Sequence, residues 1–518
     1  MYLTRDAAHV VVAYNASLAK LVPHARALDH DGKKFLVVPN SRDEMKLARN
    51  LGIATPSPIL TRYDWAGLTP WEIQRTTCAL LTESARAYVL STMGTGKTRC
   101  VLWATDYLRR VGAIQKVLIV APLSTLTPVW EVELFRVLPR ARVRVLYGSR
   151  AKRLALLAED ADYYVINHHG LMVLKDALIA KGFDVVVIDE IATFRNKGTD
   201  LWKTANAIIN GVKPPAFAWG LTGSPTPTAP TDAWAQIRLL TPTRVARTMA
   251  QFQDQTMRRA SQFKWYARPE ANDIVFDAMQ PSVRFALEDV MELPDTSYVD
   301  REVKLEADAA KAYSLLFNKM RMLTHCGESI TAVNEGVLQG KLLQVACGYI
   351  YTDKRGIYKL DTTPRLKALD EVISETDRKI IVFCPFLHAL DGIAAYLSKS
   401  HSVAIVNGST SRAARDKIFQ AFQNVDDPLR IVVAHPQCMA HGLTLVSANV
   451  VVWWSPTTSL EIYEQANARI VRPGQTSKTL VVHLSGTAVE RAVYARLKSK
   501  GRMQGILLGM FKGQTLEF

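Results

Sequence analysis

The segment from Ala87 to Val111 constrains the fold more than any other part of the chain. The apolar run Ala87-Tyr88-Val89-Leu90 leads into Ser91-Thr92-Met93-Gly94-Thr95-Gly96-Lys97-Thr98. A stretch follows in which Val101, Ala104, Leu108 and Val111 recur three, four and three residues apart, so they share one face of a helix. A strand, a glycine loop and a helix start in that order form a cradle for a nucleoside triphosphate. Gly94 and Gly96 let backbone N–H groups curl around phosphate oxygens, with Met93 and Thr95 completing the loop. Lys97 places a point charge on the β/γ-phosphates, Thr98 offers a hydroxyl to Mg²⁺, and the helix N-terminus adds partial positive charge. Ser91 stands where the pattern G-x-x-x-x-G-K-[ST] has its first glycine. ATP or a close relative is the expected ligand.

Around this segment, short apolar runs alternate with longer helical patterns. The first set of runs is Ala87–Leu90, Val117–Ala121, Tyr163–Ile166, Val185–Ile188 and Phe217–Leu221. A second set is Ile380–Phe383, Val403–Val406, Ile431–Ala434, Val450–Trp454 and Leu480–Leu484. They are continuous rather than alternating, as strands of a parallel sheet covered on both faces must be. The expected fold is therefore α/β, with two parallel sheets in tandem. A mostly helical connector runs over about residues 302–343, and residues 1–65 form a small α+β module whose last helix is followed by the linker Thr55-Pro56-Ser57-Pro58. In that module, His9–Tyr14 and Lys34–Val38 read as strands, and Ala16–Leu28 and Arg42–Asn50 as helices. The expected boundaries are 1–65, 66–295 and 296–518.

Two acidic residues end one of the strands. Val185-Val186-Val187-Ile188 runs into Asp189-Glu190, which such a sheet sets beside the phosphate site. Asp189 suits coordination of Mg²⁺, directly or through water, and Glu190 suits polarising the attacking water. Thr222-Gly223-Ser224-Pro225 follows another strand and falls on the same sheet edge, where hydroxyls can sense the γ-phosphate. The second sheet carries no glycine loop. Its sharpest feature is Arg469 and Arg472, three residues apart, able to stabilise charge on a transferred phosphoryl group if the two lobes close around it.

The order of these motifs resembles that of the superfamily-two helicase-type ATPases, specifically the Swi/Snf-like translocases of double-stranded DNA. Thr69-Pro70-Trp71-Glu72-Ile73-Gln74 is similar to the family's adenine-reading segment, with Gln74 the matching glutamine. Leu118 to Leu126 with Trp130 and Glu133 is similar to its DNA-strand-contacting motif, and Asp189 to Asn196 to its Asp-Glu motif. Leu342, Gln344 and Cys347 resemble its helical connector, and Asn407 to Ser411 with Arg415 its Gly-Ser-Thr turn. His441 to Leu445 stands for its glycine-leucine motif, while Gln465, Arg469, Arg472 and Gln475 keep the spacing of its final motif. The wording Asn467-Ala468-Arg469 and Pro473-Gly474-Gln475 is most similar to the phage and prophage branch.

The resemblance implies two RecA-like lobes, ATP and Mg²⁺ as cofactors, and DNA, duplex or branched, as partner. It adds Gln74, Gly442 and Gln465 to the nucleotide contacts and makes Arg469 and Arg472 arginine fingers. The chain departs from the family at Ile191-Ala192, where Ala-His is frequent, and at Ala468-Arg469-Ile470-Val471-Arg472, where Asp-Arg-Ala-His-Arg is frequent. Lys20-Leu21-Val22-Pro23, Lys33-Lys34-Phe35 and Pro39-Asn40 resemble the HARP modules of annealing helicases, which bind branched DNA; a structural cap on the first lobe is the other reading.

Charge agrees with a polyanionic partner. Lys+Arg number 64 against 48 Asp+Glu, a net charge of +16 that favours nucleic acid over a membrane surface. The run Arg136, Arg140, Arg142, Arg144, Arg150, Lys152, Arg153 is either a solvated face or a phosphate contact. Arg258, Arg259, Lys264, Trp265, Tyr266 and Arg268 interleave bases and rings, fitting either a DNA grip or a helical bulge. The six cysteines form no C-x-x-C pair, so reduced buried thiols are expected and a metal cluster is not. His168, His169 and His441 lack metal-ligand spacing. No run reaches the ~18 apolar residues of a membrane span, and no leader pattern is visible, so a cytoplasmic location is expected.

Overall fold

The computed structural model of the protein describes residues 2–260, 265–292, 294–325, 332–351, 357–439, 445–472 and 474–511. The chain divides into two compact units, the first carrying residues up to 258 together with 266–290, the second residues 291–504.

The first unit is built on a seven-stranded parallel sheet. Its order is Ser282–Val283, Arg86–Val89, Phe217–Leu221, Val185–Asp189, Val117–Ala121, Tyr163–Asn167, Val143–Leu146. Because side chains alternate along a strand, each run feeds two cores. Leu118, Val120, Tyr164, Ile166, Val186 and Ile188 point to one face. Val117, Ile119, Val185, Val187, Trp219 and Leu221 point to the other. This double burial is why the runs are continuous in sequence. The strand over Val143–Leu146 was hidden by its arginines and lies at the sheet edge.

The second unit repeats the plan with six parallel strands, in the order Thr296–Glu302, Thr479–Ser485, Ala448–Trp453, Lys379–Phe383, Ile431–Ala434, Val403–Val406. The strand Thr296–Glu302 was not expected, since its side chains are mostly exposed and polar. Helices Ala307–His325 and Ala332–Ala346 occupy the connector. The fold is α/β, with two tandem RecA-like lobes.

Residues 2–53 hold a four-stranded antiparallel sheet in the order Tyr2–Leu3, His9–Ala13, Lys33–Pro39, Arg26–His30. Helix Arg42–Asn50 forms as expected, but the helix expected over Ala16–Leu28 stops at Leu21. Pro23 cannot continue it, and Arg26–His30 instead pairs with Lys33–Val37 through a two-residue turn at Asp31 and Gly32, both at positive φ. Val10, Val12, Leu18, Leu36, Val38 and Met45 fill the small core.

This module is tied to the first lobe. Arg49 pairs with Glu83, both largely buried, and also donates to the Thr55 carbonyl at 2.9 Å. The Arg42 guanidinium lies 5.5 Å from the Phe217 ring centroid. Arg49→Ala should weaken the attachment by about 2 kcal/mol, because hydrogen bonds to a charged group are lost and Glu83 is left without its partner. Limited proteolysis near Gly52 to Pro58 checks this, with faster cleavage in the variant at unchanged global melting. Equal cleavage rates would show that the pair holds nothing.

Candidate active site

Three loops meet at the carboxyl edge of the first sheet, since Arg86–Val89, Phe217–Leu221 and Val185–Asp189 are neighbours there. The glycine loop follows the first strand, Thr222-Gly223-Ser224 the second, and Glu190 the third. A Cβ built on Gly223 would lie 3.7 Å from the Ser91 carbonyl oxygen, so the Thr-Gly-Ser turn rests directly against the glycine loop.

Gly94 and Gly96 have φ of 88° and 82°, the left-handed region that the curled loop requires. Helix Lys97–Arg110 starts immediately after, with Val101, Ala104 and Leu108 buried as expected. Val111 is half-exposed and caps the helix rather than extending its apolar face. Lys97 donates from Nζ to the carbonyls of Ser91 and Thr92 at 2.7 and 3.1 Å, so its ammonium is held over the loop. The Ser91 departure has a local reason. Its buried hydroxyl accepts from the Phe285 N–H at 3.1 Å, tying the loop to the segment that extends the edge strand Ser282–Val283.

Gln74 is placed against the glycine loop itself. Its Oε1 accepts from the Trp71 N–H at 2.9 Å and its Nε2 donates to the Thr95 carbonyl at 3.2 Å. Gly96 is favoured by its φ, and a Cβ there would also meet that Nε2 at 2.4 Å, so Gln74 would have to shift. In this conformation Gln74 braces the loop, a contact the sequence did not suggest.

Glu190 sits at φ 53°, ψ 56°, left-handed backbone unusual outside glycine, and such strain gathers at functional sites. Its Oε2 accepts from the Thr222 hydroxyl at 3.2 Å. Asp189 Oδ2 accepts from the indole N–H of Trp130 at 3.0 Å. Desolvation raises the Asp189 pKa, opposed by the Trp130 hydrogen bond and the charge of Lys97. His168 is structural: its ring nitrogen bonds the Asp189 carbonyl oxygen at 2.8 Å and its edge packs on Phe194. Ile191 and Ala192, at the family's Ala-His positions, are buried in apolar surroundings.

These groups fit a magnesium–nucleotide complex. The Thr92 hydroxyl is buried with no hydrogen-bond partner among the described residues, positive-φ glycines turn N–H groups into the loop, and a lysine and a carboxylate flank it. Thr98 lies in the first turn of the helix and the Asp189 carboxylate feels the charge of the adjoining Lys97, a hydroxyl and a carboxylate suited to a hard cation. Met93 and Thr95 lie in the loop, Thr95 buried with its hydroxyl on the Thr92 carbonyl at 2.9 Å.

The second unit carries the remaining candidates. Helix Leu460–Asn467 ends before either arginine, so Arg469 and Arg472 lie in the turn beyond it. Arg469 is fully buried and donates from Nε to the Gln465 carbonyl at 3.1 Å. Arg472 donates from Nε to the Ala468 carbonyl at 2.8 Å, and burial pushes its pKa down to about 10. Gln465 is buried, with Nε2 near Glu461 Oε1 at 3.4 Å. Gln475 locks the turn by donating to the Ala448 and Ile470 carbonyls at 2.9 and 3.1 Å. Gly442 and His441 lie outside the described residues. The adjoining Leu445 donates its N–H to the Arg469 carbonyl at 2.9 Å.

The basic run resolves into two parts. Arg142 pairs with Asp160 and Asp162, and Arg144 with Glu159, so these belong to a solvated, internally paired face. Arg140, Arg150 and Lys152 make no ion pair among the described residues. In the other patch, Lys264 lies outside the described residues and Arg268 donates from Nε to the Met257 carbonyl at 3.0 Å. No group of metal-binding side chains and no membrane-crossing helix occurs among the described residues.

Comparison with known proteins gives two matching family domains. Residues 79–347 match the SNF2-related domain, and residues 364–474 the helicase conserved C-terminal domain. Protein p41 of Acyrthosiphon pisum secondary endosymbiont phage 1 is 26% identical over 479 residues, covering 86% of this chain and 99% of p41. The SWI/SNF-related matrix-associated actin-dependent regulator of chromatin subfamily A-like protein 1 of Xenopus laevis is 25% identical over 431 residues. That alignment covers 79% of this chain but only 41% of the Xenopus protein, so the chain spans less than half of that relative. A solved Sulfolobus solfataricus SWI2/SNF2 ATPase core in complex with dsDNA has 20% identity and a TM-score of 0.40, covering 87% of this chain and 96% of that one. With a phosphate loop and Asp-Glu pair on one parallel sheet, and an SNF2-related match over more than half its length, the chain belongs to the SNF2-related family, DNA-dependent ATPases of helicase superfamily two.

Proposed function

We propose that this chain hydrolyses ATP to move on duplex DNA and so reshapes branched or annealing strands in replication or recombination. The observation that carries the reading is the meeting of the glycine loop, Asp189-Glu190 and Thr222 at one sheet edge of an SNF2-related chain. Lys97 exchanges its two loop carbonyls for the β/γ-phosphates, and Met93 to Thr98 wrap them. Gln74, Gly442 and Gln465 complete the nucleotide contacts. Glu190 polarises the attacking water while the Thr222 hydroxyl fixes its carboxylate. Thr98 and Asp189 would hold Mg²⁺, whose charge neutralises the phosphate oxygens. Arg469 and Arg472 stabilise the charge that develops on the transferred group.

The test is one titration of ATPase activity against single-stranded, duplex, forked and four-way DNA. The greatest stimulation by forked or four-way DNA is expected. Roadblock removal without junction movement would favour a protein-displacing motor that uses DNA as a track. Tight binding with negligible turnover would favour an ATP-gated clamp. Affinity should also report the basic surface: about five phosphate contacts give log affinity against log salt a slope near −4 to −5 on duplex DNA. A flat salt response, or no stimulation by any DNA, would remove nucleic acid as the substrate.

A further inference from the structure

The segment that the family resemblance assigns to DNA contact turns two of its side chains inward, one of them onto Asp189. Trp130 is fully buried, and its indole N–H donates to Asp189 Oδ2 at 3.0 Å. One turn on, Glu133 Oε1 accepts from Arg99 Nε and Nη2 at 2.8 and 2.6 Å, and Arg99 directly follows Thr98. The neighbouring Val132, Phe135 and Arg136 face outward, with Phe135 76% exposed. A single helical stretch thus ends on solvent at one face and, at the other, on Asp189 and on the arginine that follows Thr98.

We propose that Trp130 is a positioning residue that fixes the Asp189 carboxylate for the magnesium–nucleotide complex. The inference rests on the reading of Asp189 as a magnesium residue. A carboxylate has a broad, two-fold terminal torsion, so its lone pairs point at a cation only if a neighbour holds the plane. The indole has one donor, and burial obliges it to find an acceptor. Its bond to Oδ2, beside the Glu190 backbone N–H that also bonds this carboxylate, therefore fixes the plane of the group. Partners that orient a ligating group typically change metal affinity by about 10–100-fold when removed.

The experiment compares the full chain with Asp189→Asn, with Trp130→Phe, and with a site-specific replacement of Trp130 by 3-benzothienylalanine, which keeps the ring shape but has no N–H. Affinity for fluorescent ADP is measured across a magnesium titration and in EDTA, beside magnesium-dependent ATPase. Both Trp130 variants should raise the half-saturating magnesium concentration about 10-fold, within the range for such partners. Their affinity for ADP in EDTA should stay within about twofold. The sulfur analogue decides the matter if Trp130→Phe does not fold. A shift in Asp189→Asn with none in the Trp130 variants overturns the role of Trp130 alone. Weakened ADP binding in EDTA to the same degree as with magnesium makes Trp130 merely structural. No shift in Asp189→Asn overturns the magnesium reading of Asp189 itself, and the inference with it.

Discussion

Lys97→Ala is expected to abolish ATP turnover and weaken nucleotide binding, whereas Glu190→Gln should bind ATP normally and fail to hydrolyse it. The two variants remove different parts of one reaction. Lys97 already points its ammonium at the loop, bonding the Ser91 and Thr92 carbonyls, so a short swing carries it onto the phosphates. Without it the glycine loop keeps its N–H groups but loses its fixed positive charge. Glu190→Gln keeps shape and keeps an oxygen able to accept from Thr222, whose hydroxyl is 3.2 Å from the native carboxylate. It loses only the negative charge that polarises water, an effect of about 10²–10⁴ in rate for a positioned base. Steady-state ATPase and fluorescent-nucleotide binding separate the two. Turnover at the parental rate in Glu190→Gln would sink the water-positioning assignment.

What the sequence disclosed follows from where burial is two-sided. Val117–Ala121, Phe217–Leu221 and Ile431–Ala434 match their strands residue for residue, because central parallel strands must be apolar at every position, and Val403–Val406 matches too although it is an edge strand, since no polar residue interrupts it. Val143–Leu146 and Thr296–Glu302 lie at sheet edges, where one side faces water and polar residues break the run. The helix read over Ala16–Leu28 failed on local chemistry that was in fact visible: Pro23 stops a helix, and Asp31-Gly32 is a two-residue hairpin signal. The phosphate loop and the Asp-Glu pair could be read directly because their chemistry is contiguous in sequence. The bonds from Trp130 to Asp189, Gln74 to Thr95 and Thr222 to Glu190 could not, since each joins residues 21 or more positions apart and depends on strand order. Ser91 is an intermediate case. Its departure from the glycine pattern was plain, but the Phe285 N–H that its hydroxyl bonds belongs to a segment with no strand signal.

Arg472→Ala should leave ATP affinity within a few-fold and cut turnover by about 10² or more, judged against arginine-finger magnitudes. The second lobe has no glycine loop, so a role for its arginines requires that they act on a nucleotide held by the first lobe. Closure would complete the catalytic site, and reopening after hydrolysis would advance the protein along DNA. Burial lowers the Arg472 pKa only to about 10, so the side chain is cationic at neutral pH and its charge is ready for a developing phosphoryl anion. DNA stimulation should vanish in the same variant if DNA acts by favouring closure. Arg469→Ala is the less selective probe: Arg469 is fully buried, and its Nε holds the Gln465 carbonyl, so its removal also leaves a cavity. Melting temperature must therefore be measured beside ATPase for both variants, since Arg472 also bonds a carbonyl of its own turn, Ala468, at 2.8 Å. Steady-state turnover with and without duplex DNA decides between the outcomes. Normal DNA-stimulated turnover in both variants would mean that the two lobes do not share the active site, and the chain would have to draw its stimulation from the first lobe alone.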